Sequence, residues 1–131
     1  MTATDDESAP PLRVLLVDDD LNILNVFRSG LELHGFKVYT ASSSQDAMDR
    51  ASTVTEPLDV LVVDINLPDG FGSSLALALH EVHPQTKIVY MSGYTQHDPI
   101  LKEGIEEHMV FLNKPFSIAE LASTIRRVAG T

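Results

Sequence analysis

Charged or polar residues stand directly after three short apolar runs of this chain. They are Asp18-Asp19-Asp20 after the run 13–17, Asp64 after the run 58–63, and Asn113-Lys114-Pro115 after the run 109–112. If the runs are parallel strands of one sheet, their carboxyl ends meet at one edge, where open α/β sheets bind ligands. We expect the crevice there to bind a divalent cation and to present one aspartate as a phosphate acceptor.

Carboxylates crowded into such a crevice need positive charge to offset their repulsion. Two carboxylates about 5 Å apart repel by roughly 3 kcal/mol at an effective dielectric constant near 20. Magnesium offsets this repulsion because it binds one or two carboxylates together with phosphate oxygens and water. Phosphoryl transfer needs mainly an in-line nucleophile and positive charge around the transferred group. Asp64 is suited to be that nucleophile, Lys114 to supply charge, and the Ser92 hydroxyl to donate to a phosphoryl oxygen.

Apolar runs alternate with segments of helical periodicity, which favours strand-helix units and a parallel sheet. Five runs have strand character: 14–17, 37–41, 58–64, 87–91 and 109–112. Two sets of apolar residues have the three-then-four spacing of one helical face: Leu24, Phe27 and Leu31, and Ile118, Leu121 and Ile125. A lone aspartate at the end of a strand is usually a cap or turn residue. Here, however, acidic residues, a hydroxyl and a lysine stand at the ends of the first, third, fourth and fifth strands, which together favour a functional site.

Local signals mark where the predicted helices begin and end. They are Asp20 as the N-cap of the first helix, Gly35 at its end, Asp98 before Pro99 at the start of another, and a Ser117/Glu120 capping box on the last. The segment 66–72 contains one proline and two glycines and is predicted to be a loop.

Length and composition favour one soluble domain. The chain has 131 residues, 44% of them hydrophobic and 21% charged, which predicts one folded domain at residues 12–131 behind a disordered tail at 1–11. It has no cysteine and no apolar run near the roughly 20 residues of a membrane helix, so we expect a cytoplasmic protein without membrane contact. A net charge of -10 disfavours direct binding of nucleic acid.

Four motifs in order resemble the receiver domain of bacterial-type two-component response regulators. They are LLVDDD at 15–20, VVDINLPDG at 62–70, MSGY at 91–94 and LNKPF at 112–116. The resemblance runs from about Leu12 to Val128. It implies a flavodoxin-like (βα)5 fold, in which a doubly wound sheet of five parallel strands in the order 2-1-3-4-5 carries helices on both faces.

The resemblance also implies a role for each site residue. Asp64 would be the phosphoacceptor, and Asp18, Asp19, Asp64 and the backbone carbonyl of Asn66 would bind Mg2+. Ser92 and Lys114 would contact the phosphoryl group, with a cis peptide bond between Lys114 and Pro115. Ser92 and Phe111 would form the switch, in which the hydroxyl moves inward and the aromatic ring changes rotamer.

The resemblance further implies partners. A sensor histidine kinase or a histidine phosphotransfer protein would donate the phosphoryl group. An effector domain or protein, or a second copy of the chain, would bind the surface of the helix beginning at Asp98, the fifth strand and the last helix. The MSGYT sequence at 91–95 and the long segment from Gly104 to Lys114 are similar to receivers attached to hybrid sensor kinases.

Three other functions remain open at this point. A haloacid-dehalogenase-like phosphohydrolase also uses an aspartyl phosphate and magnesium, but it needs a second aspartate where this chain has Asn66. Flavin binding needs a phosphate-binding loop after the first strand, where three aspartates would repel the flavin phosphate. A phosphorylation-silent docking module would not need the complete acidic set and Lys114. We therefore expect a signalling switch that catalyses only its own phosphorylation and dephosphorylation.

Overall fold

The computed structural model describes residues 10–92 and 110–130. Its main sheet has five parallel strands: β1 (Arg13–Val17), β2 (Lys37–Ala41), β3 (Val60–Asp64), β4 (Lys87–Ser92) and β5 (Val110–Asn113). Four helices lie in the described part of the chain: α1 (Leu21–Leu33), α2 (Ser44–Thr53), α3 (Gly72–Val82) and α4 (Ile118–Ala129). The strand order is β2-β1-β3-β4-β5, which confirms the predicted flavodoxin-like sheet.

A hydrophobic core lies on each face of this sheet. One face packs against α2 and α3, with Ala47, Leu75 and Leu79 in its buried cluster. The opposite face packs against α1 and α4 through a second cluster that includes Leu24 and Leu121. The central strands β1 and β3 are apolar almost throughout because both of their faces are covered. Helices on both faces of a parallel sheet leave its carboxyl edge free for a site.

Several strand ends differ from the sequence-based prediction by one residue, as at Arg13, Ser92 and Asn113, and two differences are larger. β3 begins at Val60 and not at Leu58, although Leu58 is buried and its carbonyl accepts a hydrogen bond from the Thr86 hydroxyl at 2.7 Å. The predicted loop 66–72 contains a small antiparallel hairpin of two-residue strands, and Gly72 at its end is the first residue of α3. Short antiparallel pairs of this kind depend on backbone contacts that periodicity does not reveal.

The predicted helix ends are confirmed wherever the structure describes them. The Asp20 carboxylate accepts hydrogen bonds from the first-turn amides of α1, and Gly35 follows that helix with φ +94°. Ser117 and Glu120 form the predicted capping box on α4. The predicted helix start at Asp98 and the predicted tail up to residue 9 lie outside the described residues. No helix in the described ranges has the length and apolarity to cross a membrane.

The amino terminus of α2 is capped by a side chain from a different loop. Asp69, in the hairpin turn after β3, accepts hydrogen bonds from the backbone amides of Ser44 at 2.9 Å and Gln45 at 3.1 Å. Ser43, the local N-cap, accepts from the amide of Asp46. Helix amides left without an intrahelical partner need such acceptors. Asp69 therefore ties the loop that follows Asp64 to the start of α2.

We expect the Asp69→Asn variant to unfold at a lower temperature than wild type at neutral pH. Hydrogen bonds from two backbone amides hold the pKa of the Asp69 carboxyl below its ordinary value of 3.8. The amide of Ser44 has the larger effect and the amide of Gln45 the smaller one. The stabilisation is therefore present above that value and is lost as the pH falls through the lower pKa of the folded state. Circular dichroism melts should show a Tm difference at pH 7 that shrinks as the pH falls below 3.8. A difference that stays constant over this range would show that the carboxylate charge is not its source.

Candidate functional site

Three carboxylates meet at the carboxyl edge of the sheet. The parallel register pairs Val17, the last residue of β1, with Val63 on β3. The next residue on each side of this pair is an aspartate: Asp18 follows β1, and Asp64 ends β3. One carboxylate oxygen from each of Asp18, Asp19 and Asp64 lies within 4.8 Å of the others. Asp18 is 1% exposed, whereas Asp19 is exposed to solvent. The structure thus brings together the acidic residues that the sequence placed at separate strand ends.

Lys114 bridges two of these acids from the loop after β5. Its Nζ lies 2.8 Å from Asp18 Oδ2 and 2.7 Å from Asp64 Oδ2. Burial alone would lower the pKa of the ammonium, but the hydrogen bonds and charges of both carboxylates outweigh it and raise the pKa above its ordinary value. Lys114 is therefore protonated at neutral pH and offsets part of the acidic crowding.

Backbone amides orient the second oxygen of each bridged carboxylate. The amide of Asp20 donates to Asp18 Oδ1 at 2.9 Å, and the amide of Asn66 donates to Asp64 Oδ1, also at 2.9 Å. Each carboxylate is consequently held by an ammonium on one oxygen and by an amide on the other. A side chain fixed at both oxygens loses little freedom when it reacts or binds a cation.

Gly72 lies against the backbone of Asp64, a contact that the sequence did not reveal. A Cβ at this position would overlap the carbonyl oxygen of Asp64 and lie 3.1 Å from its carbonyl carbon. The amide of Gly72 also donates to the carbonyl of Ile65 at 2.6 Å. The absence of a side chain lets the start of α3 approach the strand end that carries Asp64.

The end of β5 is joined to the end of β4. The peptide bond between Lys114 and Pro115 is cis, as the resemblance to receiver domains implied. The amide of Lys114 donates to the carbonyl of Ser92 at 2.7 Å, which continues the ladder between the two strands. The lysine that reaches into the acidic crevice is therefore anchored to the strand that carries Ser92.

Ser92 lies at the predicted strand end, but its hydroxyl is engaged elsewhere. Ser92 Oγ donates to Asn113 Oδ1 on β5 at 3.0 Å. Beside this pair, Phe111 is 37% exposed and stacks on the buried ring of Tyr90, with the ring centroids 5.5 Å apart. Sequence reasoning identified Ser92 and Phe111 but neither of their cross-strand partners, because these depend on the register of β4 against β5.

The residues present suit a hard divalent cation. All three acidic side chains of the cluster offer oxygen, the ligand that Mg2+ prefers, and the cluster is open on the Asp19 side. Asn66 follows Asp64 by two residues, and its amide already contacts the Asp64 carboxylate. In the part of the chain that the structure describes, this is the one group of three such side chains close enough to share an ion.

Comparison with known proteins agrees with this geometry. A family model described as "Response regulator receiver domain" matches residues 14–126. The chain is 36% identical over 117 residues to the transcriptional regulatory protein PrrA of Mycobacterium leprae (strain TN), a match that covers 87% of this chain and 48% of PrrA. It is 29% identical over 115 residues to the sensor kinase CckA of Brucella abortus (strain 2308), covering 88% of this chain and 12% of CckA. The chain thus spans about half the length of PrrA and a small part of CckA.

A solved structure has the same fold. The crystal structure of a CheY-like response regulator receiver domain protein from Methanospirillum hungatei JF-1 superposes with a TM-score of 0.79 at 25% sequence identity. The match covers 91% of this chain and 94% of that one.

Proposed function

This chain belongs to the response regulator receiver domain family, and on that premise we propose that Asp64 accepts a phosphoryl group from a phosphohistidine donor in an Mg2+-dependent reaction. Receiver domains are signalling switches of two-component systems and not enzymes that turn over external substrates. The observation that carries the proposal is the ion pair of Lys114 with both Asp18 and Asp64 beside a third carboxylate. We take residues 12–131 as the receiver domain and 1–11 as a tail.

In the proposed reaction, a phosphoryl group is transferred from a histidine imidazole of the donor to the carboxylate of Asp64. A carboxylate oxygen of Asp64 forms a bond to phosphorus while the P–N bond of the phosphohistidine breaks. The imidazole leaves with the bonding electron pair and takes a proton from solvent. Held at both oxygens by Lys114 and the Asn66 amide, the Asp64 side chain needs little reorganisation before it attacks.

Positive charge around the transferred group is the main requirement of this step. Asp18, Asp19, Asp64 and the carbonyl of Asn66 would hold Mg2+, which supplies part of that charge when bound. Lys114 supplies the rest, because the ammonium that now pairs with Asp64 is within reach of a group attached to the same carboxylate. Asp18, which is buried and bonded to Lys114, keeps that ammonium at the crevice.

The phosphoryl group would be read out through β4 and β5. The Ser92 hydroxyl would donate a hydrogen bond to a phosphoryl oxygen, and the Phe111 ring, which is partly exposed and stacked on Tyr90, would change its orientation. The affected surface comprises β5, α4 and the segment after Ser92, whose predicted helix from Asp98 lies outside the described residues. This surface would bind an effector domain or protein, or a second copy of the chain.

We propose a sensor histidine kinase or a histidine phosphotransfer protein as the phosphoryl donor. The similar proteins support a role in signalling through a histidine kinase, since one is named a transcriptional regulatory protein and another is named a sensor kinase. With a net charge of -10, this chain would act on nucleic acid only through an attached or bound effector.

Incubation with acetyl phosphate tests the proposed function. The wild-type chain should gain one phosphoryl group per molecule in the presence of MgCl2 and none in the presence of EDTA, as measured by intact-protein mass spectrometry. Hydroxylamine should remove the adduct, because it cleaves acyl phosphates. Sustained release of phosphate from several phosphoesters would instead indicate a phosphohydrolase, and the absence of any adduct with Mg2+ present would indicate a phosphorylation-silent docking module.

A further inference from the structure

The Ser92 hydroxyl is already committed to an acceptor in this structure. It has one proton, which it donates to Asn113 Oδ1 at 3.0 Å. Ser92 is 1% exposed, so water does not readily replace this acceptor. Asn113 ends β5 and stands directly opposite Ser92 in the parallel register. The hydroxyl must therefore leave Asn113 before it can donate to anything bound at Asp64.

A second cross-strand pair stands next to this one on the same face of the sheet. Phe111 is opposite Tyr90 in the register, two residues before the Ser92 and Asn113 pair, and the two rings are stacked. Alternate residues of a strand share a face, so Ser92, Asn113 and the two rings form one continuous strip. The Ser92 hydroxyl and the Phe111 ring are therefore neighbours on one face of the sheet.

We propose that Asn113 is a positioning residue that holds the Ser92 hydroxyl in its resting orientation and thereby slows phosphorylation of Asp64. The inference rests on the proposed function and adds to it the residue that opposes the switch. The hydrogen bond to Asn113 joins two neutral groups, whereas a bond from Ser92 to a phosphoryl oxygen is assisted by charge and is stronger. Phosphorylation of Asp64 therefore breaks the hydrogen bond between Ser92 and Asn113, and the strength of that bond affects the rate of phosphorylation.

Removal of the Asn113 acceptor should accelerate the reaction. The net stability of one neutral hydrogen bond corresponds to about a fivefold change in an equilibrium constant. We expect Asn113→Ala to react with acetyl phosphate about fivefold faster than wild type at saturating MgCl2. Asn113→Val should behave in the same way, because it also lacks an acceptor and is well suited to a strand.

A double-mutant cycle separates an effect through Ser92 from a general structural effect. The second-order rate constant for acetyl phosphate is measured by mass spectrometry for wild type, Asn113→Ala, Ser92→Ala and the double variant. The acceleration by Asn113→Ala should vanish when residue 92 has no hydroxyl. Asn25→Ala, at an exposed position of α1, is the matched control and should react like wild type. Circular dichroism melts identify any variant that fails to fold, in which case Asn113→Val replaces Asn113→Ala.

The possible outcomes distinguish this inference from the proposed function. If wild type is phosphorylated but neither Asn113 variant is faster, the inference is wrong and the proposed function stands. An equal acceleration in the presence and absence of the Ser92 hydroxyl also overturns the inference, because Asn113 would then act by another route. If wild type accepts no phosphoryl group, both are wrong.

Discussion

Asp64→Asn should accept no phosphoryl group from acetyl phosphate under conditions in which wild type is fully modified. The asparagine amide is not a nucleophile at neutral pH, and the other carboxylate that is held at both oxygens, that of Asp18, is buried at 1% exposure. The variant should fold, because replacing one of three crowded carboxylates by a neutral group reduces their repulsion. Intact-protein mass spectrometry measures the adduct, and peptide mapping after borohydride reduction locates it in wild type.

The matched control is Asp49→Asn, which makes the same chemical change on an exposed position of α2. Its side chain contacts Gln45 and lies outside the acidic cluster. This variant should be phosphorylated like wild type. Phosphorylation of Asp64→Asn at the wild-type level would show that another residue is the acceptor and would remove the basis of the proposed mechanism.

Gly72→Ala should cause the largest loss of stability among single substitutions near the site. A Cβ at Gly72 overlaps the carbonyl oxygen of Asp64 and lies 3.2 Å from a methyl carbon of Val63. The carbonyl belongs to the backbone of a buried central strand, so it cannot move aside as a flexible side chain can. We expect the free energy of unfolding to fall by about 3 kcal/mol, which corresponds to a decrease of roughly 10 °C in Tm.

Denaturant titration monitored by circular dichroism measures this loss, and Gly30→Ala is its comparison. At Gly30 the three atoms nearest to the added carbon belong to the Ile118 side chain, at 2.8, 2.9 and 3.0 Å, so this side chain must shift. A side chain can repack more readily than a strand backbone, and alanine favours the surrounding helix. The loss of stability in Gly30→Ala should therefore be smaller than in Gly72→Ala. If Gly72→Ala is as stable as wild type, then α3 can shift on β3 without loss of stability, and the contact of Gly72 with the Asp64 carbonyl does not position Asp64.

If Gly72→Ala folds, its rate of phosphorylation should fall as well. Two segments contact Asp64: Gly72 at the start of α3 lies against its backbone carbonyl, and the amide of Asn66 donates to its carboxylate. A shift of this backbone moves the carboxylate relative to Lys114, and small misplacements of a nucleophile are costly in rate. Stability and reactivity are thus coupled through one backbone contact.

The charge balance at the crevice explains why the resting site tolerates three carboxylates. Lys114 lies within 2.8 Å of Asp18 and Asp64, so one ammonium serves two acids, and Asp19 is left to solvent. The uncompensated charge makes the site attractive to a divalent cation. In the proposed mechanism, the Lys114 ammonium would contact a phosphoryl group attached to Asp64, and a cation held by the three carboxylates would supply further positive charge there.

The amino-acid sequence by itself determined the strands and the set of charged residues at their carboxyl ends, whereas the strand order was implied by the resemblance to receiver domains. The strands and the charged residues follow from local patterns. Apolar runs such as 13–17 predict buried strands, and Asp20, Gly35 and the Ser117/Glu120 pair mark helix ends through contacts a few residues apart. A parallel sheet then brings its strand ends together, so the meeting of Asp18, Asp64 and Lys114 could be predicted before any coordinates.

Only the tertiary structure decided which partner each of these side chains has. The bond from Ser92 to Asn113 depends on the register of two strands, and the cap from Asp69 to α2 joins residues 25 positions apart. The contact of Gly72 with Asp64 depends on how closely a helix approaches a strand. Residue type and periodicity determine which face a side chain occupies, but the atom it meets there is determined by packing between elements distant in sequence.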